Sequence, residues 1–231
     1  MSDETSTVDP DLRQGAATPW QERMPLPSHE AMTEEQRAAA QALFDGPRKG
    51  VYGPFLPLLR SPQLLERVAK MGEYLRFGSV LEPRIRELAT CVAARHTGNP
   101  FEWQMHAPLA AQAGVDAGAL DLLRQGARPV PLAPDEVLAV DFSLEVLGPH
   151  GCSDPTYAVA REGFGEQGVV ELAALLGYFV MVCWVMNVAH TPAQRRNGDP
   201  LPAFPLLARK KKPPEGGEKS LEGRRWETGT A

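Results

Sequence analysis

Glu87 and His106 stand nineteen residues apart in RELATCVAARHTGNPFEWQMH, residues 86–106, and Glu102 comes one helical turn before the histidine. Histidine is the side chain that moves protons near neutral pH, and a neighbouring carboxylate supports its charged form. Glu102 and His106 share a helix face, while Glu87 comes from the preceding helix and a tight hairpin can bring it to the same pocket. Partial burial raises a carboxyl's pKa and suits it to sharing a proton with His106. The chemistry on offer is acid–base proton transfer, with Glu87 and His106 as the catalytic pair.

Each of these residues also has a purely structural reading. Asn99 and Glu102 are explained as a helix-capping pair, with Pro100 at the first helical position. His106 alone reads as a hydrogen-bonded core histidine, and Trp103 most simply as core. Glu87 is harder to dismiss, because an unpaired glutamate among packed helices is costly. Arg84, Arg86 and Arg95 are placed to neutralise it or to bind an acidic substrate.

The positioning elements are helical. Residues 33–36, TEEQ, form a capping box that opens a helix closed by Gly46-Pro47. A loop, GVYGPFLPLLRSP, precedes a helix that starts at Ser61-Pro62 and runs to about Gly72. From Leu81 to His96, residues Ile85, Leu88, Ala89, Val92 and Ala93 fall on one face, and Cys91 and Ala94 on the other. A helix that is apolar or small all round is packed on both sides, so Glu87 is expected to be half-buried. Thr97-Gly98 ends this helix and Asn99 caps the next, which closes at Gly114. Helices follow over 116–125, 134–147 and 154–163, then a long apolar one over 167–189. No segment reads as a convincing strand, so the expected fold is all-α. We divide the chain into an irregular arm (1–30) that docks through Trp20 and Met24, a helical domain (31–195) and a polar tail (196–231). A faint echo, Glu87-Leu88-Ala89 against Glu171-Leu172-Ala173 with His190 nineteen residues beyond, suggests an internal duplication.

Composition narrows the function. At 231 residues with 43% hydrophobic content the chain can bury a sizeable core. A net charge of −5 does not fit a nucleic-acid binder, and the dense basic run at 209–212 reads as a solvated tail. The three cysteines, Cys91, Cys152 and Cys183, lie far apart without a CxxC pair. That pattern fits neither a disulfide framework nor a metal site, and suits a reducing cytoplasm. Residues 172–186 form an uncharged run shorter than the about 20 residues a spanning helix needs. We read it as a core or subunit-interface helix rather than a membrane span, and expect a homo-oligomer (dimer, trimer or hexamer).

The stretch PRIRELATCVAARHTGNPFEWQMHAPLAAQAGV resembles the carboxymuconolactone decarboxylase family, which shares the alkylhydroperoxidase D-like fold. Arg86-Glu87, the Glu102-Trp103 to His106 helix start and the closing Ala110 to Gly114 carry the likeness. GPFLPLLRSP and EYLRFGSVLEPRIRE are similar to the segments that precede it in the family. In the redox branch of that fold a glutamate, a CxxC pair and a histidine form a thiol peroxidase relay. Glu87 and His106 match the glutamate and histidine, but Asn99 and Glu102 occupy the two cysteine positions. The resemblance therefore implies the cysteine-free branch, whose namesake reaction decarboxylates a small lactone acid in aromatic catabolism, without a cofactor. On that basis Glu102, Asn99, Trp103, Arg84, Arg95, Phe55 and Tyr52 are the expected substrate-binding residues. A noncatalytic small-acid-binding or assembly protein on the same scaffold, or another lyase, isomerase or hydrolase, stays open.

Overall fold

The computed structural model of the protein describes residues 21–193 and 201–202. Residue Trp20, most of the arm and the basic run of the tail lie outside them. Among the described residues there are eight α-helices and no strand: α1 (Glu34–Asp45), α2 (Phe55–Leu58), α3 (Pro62–Glu73), α4 (Pro83–Thr97), α5 (Pro100–Gln112), α6 (Ala117–Arg124), α7 (Pro134–Leu147) and α8 (Asp154–Ala189). The all-α expectation holds.

Local signals set most of these boundaries. Thr33 and Gln36 close a reciprocal capping box at the start of α1. Gly98 terminates α4 in the left-handed region (φ 62°, ψ 32°), a conformation in which glycine meets no Cβ clash. One residue later the Asn99 N–H bonds the Ala94 carbonyl at 2.9 Å, and its side-chain oxygen accepts the Glu102 N–H at 2.9 Å. This tight turn folds α5 back along α4.

The small-residue helix α4 sits at the centre and touches α5, α6, α7 and α8. Its residues Leu88, Cys91, Ala93 and Ala94 are fully buried, so the helix is enclosed on both faces. Arg84 ties α4 to α7 through Asp135 (2.6 Å) and Glu136 (2.8 Å).

Three expectations need correction. The segment after Gly50 is not all loop: Phe55–Leu58 forms α2, because Phe55, Pro57 and Leu58 gain burial by turning inward. α3 continues into a π-turn over Tyr74–Gly78. The two expected C-terminal helices, over 154–163 and 167–189, are present as the two arms of α8, which meet at Gly165, whose positive φ of 70° breaks the helical path. The echo at Glu171 does not build a second pocket. Glu87 and His106 lie across a hairpin, whereas Glu171 lies along α8 and His190 caps that helix, about 28 Å apart at 1.5 Å per residue.

Glu171 instead locks the π-turn. Its carboxylate accepts from the Tyr74 hydroxyl (2.5 Å), the Val80 N–H (2.8 Å) and the Gln167 amide (2.8 Å). Burial raises its pKa, but the Ser79 side chain together with these bonds outweighs it and holds the carboxyl at about 2. A depressed folded-state pKa contributes stability above the ordinary value of 4.5, and that contribution is lost as pH falls toward 2. Glu171→Gln is expected to cost roughly 2–3 kcal/mol in urea unfolding at neutral pH, with the gap to wild type narrowing below pH 4.

Candidate functional site

The α4–α5 hairpin sets one imidazole between two carboxylates. His106 Nδ1 lies 2.6 Å from Glu87 Oε2, and Nε2 lies 3.2 Å from Glu102 Oε2. His106 and Glu102 are buried, and the Glu87 side chain is 15% exposed. Phe179 of α8 packs edge-on against the ring, with centroids 4.9 Å apart, and fixes its plane.

The electrostatics favour a doubly protonated ring. Burial lowers the His106 pKa, but the bonds and charges of Glu102 and Glu87 outweigh it and raise the value above the ordinary 6.5. Imidazolium donates to both carboxylates, and the three groups together carry a formal charge of −1. A buried net charge of this kind is stable only with cations nearby.

Two cations lie on the same cavity. The small space of about 40 Å³ beside His106 is lined by Arg48, Tyr52, Phe55, Arg76, Glu102, Met105, His106 and Tyr178. That volume holds a water molecule or two. Glu102 and His106 face the cavity, whereas Glu87 stands behind the ring and does not line it. Arg48 donates to the Ala69 carbonyl at 2.9 Å and lies over the Phe55 ring. Arg76 comes from the π-turn, packs its guanidinium over Phe77, and has a buried Nε without a hydrogen-bond partner. Burial pushes the Tyr178 phenol up to about 12, with Arg48 and Arg76 pulling it down and Glu102 pushing it up, so it remains a proton donor. A Cβ on Gly72 would fall 2.1 Å from the Tyr178 hydroxyl, so only glycine leaves the phenol its place.

The sequence-derived candidates divide accordingly. Glu87, Glu102 and His106 come together, and Tyr52 and Phe55 line the cavity with them. Arg84 does not, because Asp135 and Glu136 hold its guanidinium. Arg95 is buried in the last turn of α4, away from the cavity lining. Trp103 is core. Asn99 is consumed structurally: it caps α5 and donates to Asn187 Oδ1 at 2.8 Å and the Cys183 carbonyl at 3.3 Å. Glu102, read from sequence both as half of a capping pair and as a carboxylate on the face of His106, turns its carboxylate to His106. Sequence reasoning missed Arg48, Arg76 and Tyr178. The signals that pointed to them were a hydroxyl inside the uncharged run of α8 and a glycine, Gly72, within the amphipathic α3.

The free thiols are elsewhere. Cys91 and Cys183 are fully buried, and burial, with Glu87 and Glu102 respectively adding to it, raises both well above the ordinary thiol value. Neither is poised as a thiolate. Among the described residues no group of three or more His, Cys, Asp or Glu is arranged to hold a metal ion.

Comparison with known proteins agrees with this architecture. No curated protein matches the chain. A crystal structure described as an alkylhydroperoxidase AhpD core, an uncharacterized peroxidase-related protein from Ralstonia eutropha JMP134, superposes with a TM-score of 0.61. It is 17% identical, and the match covers 75% of this chain and 92% of that one. An uncharacterized peroxidase-related protein from Silicibacter sp. TM1040 gives a TM-score of 0.62 at 16% identity, over 78% of this chain and 96% of that one. Residues 62–142, which carry α3, the π-turn, α4, α5, α6 and most of α7, match the model of the carboxymuconolactone decarboxylase family. The Glu87–His106–Glu102 hairpin lies inside that segment, so over residues 62–142 the chain is similar to the carboxymuconolactone decarboxylase family, and around it the helices share the fold of the two AhpD-like structures.

Proposed function

We propose that this protein is a cofactor-independent acid–base enzyme, a lyase that decarboxylates a small carboxylated lactone or related acid from aromatic catabolism. The observation that carries this reading is the buried His106 between two carboxylates, opening through Glu102 onto a cavity with two guanidinium groups. Arg48 and Arg76 bind the substrate's anionic oxygens, and the aromatic walls Tyr52 and Phe55 limit water. As the bond to the departing carboxylate breaks, its electron pair passes into the lactone as a dienolate. The guanidinium groups and the Tyr178 hydroxyl stabilise that charge. A proton then moves from His106 Nε2 through Glu102 to the substrate carbon, and Glu87 holds the ring in place and supports its charge. One proton is taken up and one CO2 leaves in each turnover.

Thiol peroxidase chemistry does not fit this chain. That reaction needs an attacking and a resolving thiol, and the two hairpin positions carry Asn99 and Glu102. The word peroxidase in the descriptions of the similar structures stays with those proteins.

CO2 release from a panel of small lactone acids tests the proposal. Glu102→Gln keeps the shape of the site but cannot pass the proton, so we expect turnover to fall by about 10²-fold. Equal CO2 release by wild type and Glu102→Gln would refute it. The two guanidinium groups on the cavity, Arg48 and Arg76, also support one second reading, a noncatalytic small-acid binder. Calorimetric binding of such acids with no product formed would select that reading.

A further inference from the structure

The segment from Gly72 to Val80 brings Arg76 to the cavity, and little apolar packing holds it there. Of the π-turn residues Tyr74–Gly78 only Leu75 is buried, while Tyr74 and Phe77 are 49% and 65% exposed. Such turns are rare, and where they occur they often serve a functional site.

Side chains of α8 grip this segment instead. The Tyr178 hydroxyl occupies the space beside Gly72 that a Cβ would need. Two helical turns earlier on the same side of α8, the Glu171 carboxylate bridges the two ends of the π-turn. Its Oε1 accepts from the Tyr74 hydroxyl at 2.5 Å and its Oε2 from the Val80 N–H at 2.8 Å. Gln167, one turn further back, donates to Oε1 at 2.8 Å and fixes the direction of the carboxylate.

Arg76 lies between the two bonded ends. Its guanidinium packs over Phe77, and among the described residues no acceptor meets its buried Nε. A buried donor left unpaired costs free energy, and a carboxylate in the cavity would offset that cost with a charge-assisted bond. Glu171 does not line the cavity, so any influence it has on a bound acid passes through Arg76.

We infer that Glu171 is a positioning residue for the acid-binding end of the site: by bonding Tyr74 and Val80 together it holds the π-turn in the conformation that presents Arg76 to an anion. The inference rests on the reading of Arg48 and Arg76 as the groups that take the acid's oxygens. Arg48 is held separately, by the Ala69 carbonyl, so its place does not depend on Glu171.

Formate, the smallest carboxylate, is the probe, and its binding to the full chain is read by NMR titration, which needs no turnover. Glu171→Gln is expected to weaken formate binding about 10-fold, because the amide nitrogen faces a donor, Tyr74 O–H or Val80 N–H, where the carboxylate accepted. Tyr74→Phe keeps the ring, removes one bond and should weaken binding about threefold. In an Arg76→Ala background either substitution should change formate binding by less than about twofold, and in an Arg48→Ala background each should keep its full effect. A merely structural Glu171 would cost the same in every background. Wild-type formate affinity in Glu171→Gln, an undiminished loss in the Arg76→Ala background, or a wild type that does not bind formate would overturn the inference. The expected pattern in a protein that releases no CO2 from any lactone acid would support the inference and refute the catalytic reading instead.

Discussion

His106→Ala is expected to abolish the reaction for practical purposes, lowering kcat by about 10³-fold, the range that a positioned acid–base group supplies. The imidazole is the one group bonded to both Glu87 and Glu102, so its loss separates the carboxylates and removes the proton they share. It also leaves two acidic groups facing each other with no cation between them. Stability should fall by about 3–5 kcal/mol, the cost of breaking a buried ion pair from one side. His106→Gln fills the space and separates the two effects. It should recover part of the stability in urea unfolding while leaving kcat as low as in His106→Ala. The pH profile follows from the same geometry. The folded-state pKa of His106 lies above 6.5. The charged relay therefore contributes its full stability below 6.5 and loses it as pH rises through the folded value. Activity that needs the proton on His106 should be retained below 6.5 and fall as pH rises through the folded-state value.

The second large effect concerns affinity. Arg48→Ala and Arg76→Ala are each expected to raise KM about 10- to 100-fold, the value of a charge-assisted hydrogen bond in a sheltered site. kcat should fall as well, by about 10-fold, because the same guanidinium groups stabilise the charge that develops on the lactone. Arg84→Ala is the control. Its guanidinium is held by Asp135 and Glu136, so it should lower stability and leave KM unchanged. A KM change in Arg84→Ala with none in Arg48→Ala would place the acid-binding end elsewhere.

The contrast between Arg84 and Arg48 shows which parts of the site were legible in the sequence. Residues that share one hairpin could be placed by helical periodicity and capping chemistry. The Asn99 cap and the Gly98 stop fix the turn, and the turn fixes where Glu87, Glu102 and His106 meet. The half-burial of Glu87 followed from the small residues around it on α4. Arg84 and Arg95 were chosen because they are close in sequence to Glu87, and closeness along a helix does not give direction. Acidic partners on α7, 51 residues away, claim Arg84. The residues that replace them come from segments that local rules describe poorly. Arg48 lies in the irregular stretch after α1, and Arg76 in a π-turn whose extra residue re-aims the side chain. Glu102 carried two readings in the sequence, a capping residue and a partner of His106, and the fold selects the second. Its position three residues after Asn99 satisfies a capping rule, but in the fold His106 competes for the carboxylate and wins, because a buried imidazolium gains more from it than a backbone N–H does.

The most direct test of the account is an imidazole ¹⁵N NMR titration of His106 in the wild-type protein and in Glu102→Gln. The predicted result is a wild-type midpoint above 6.5, with both ring nitrogens protonated below it, that moves down when Glu102 loses its charge. A wild-type midpoint below 6.5, or a midpoint that Glu102→Gln leaves where it was, would contradict it.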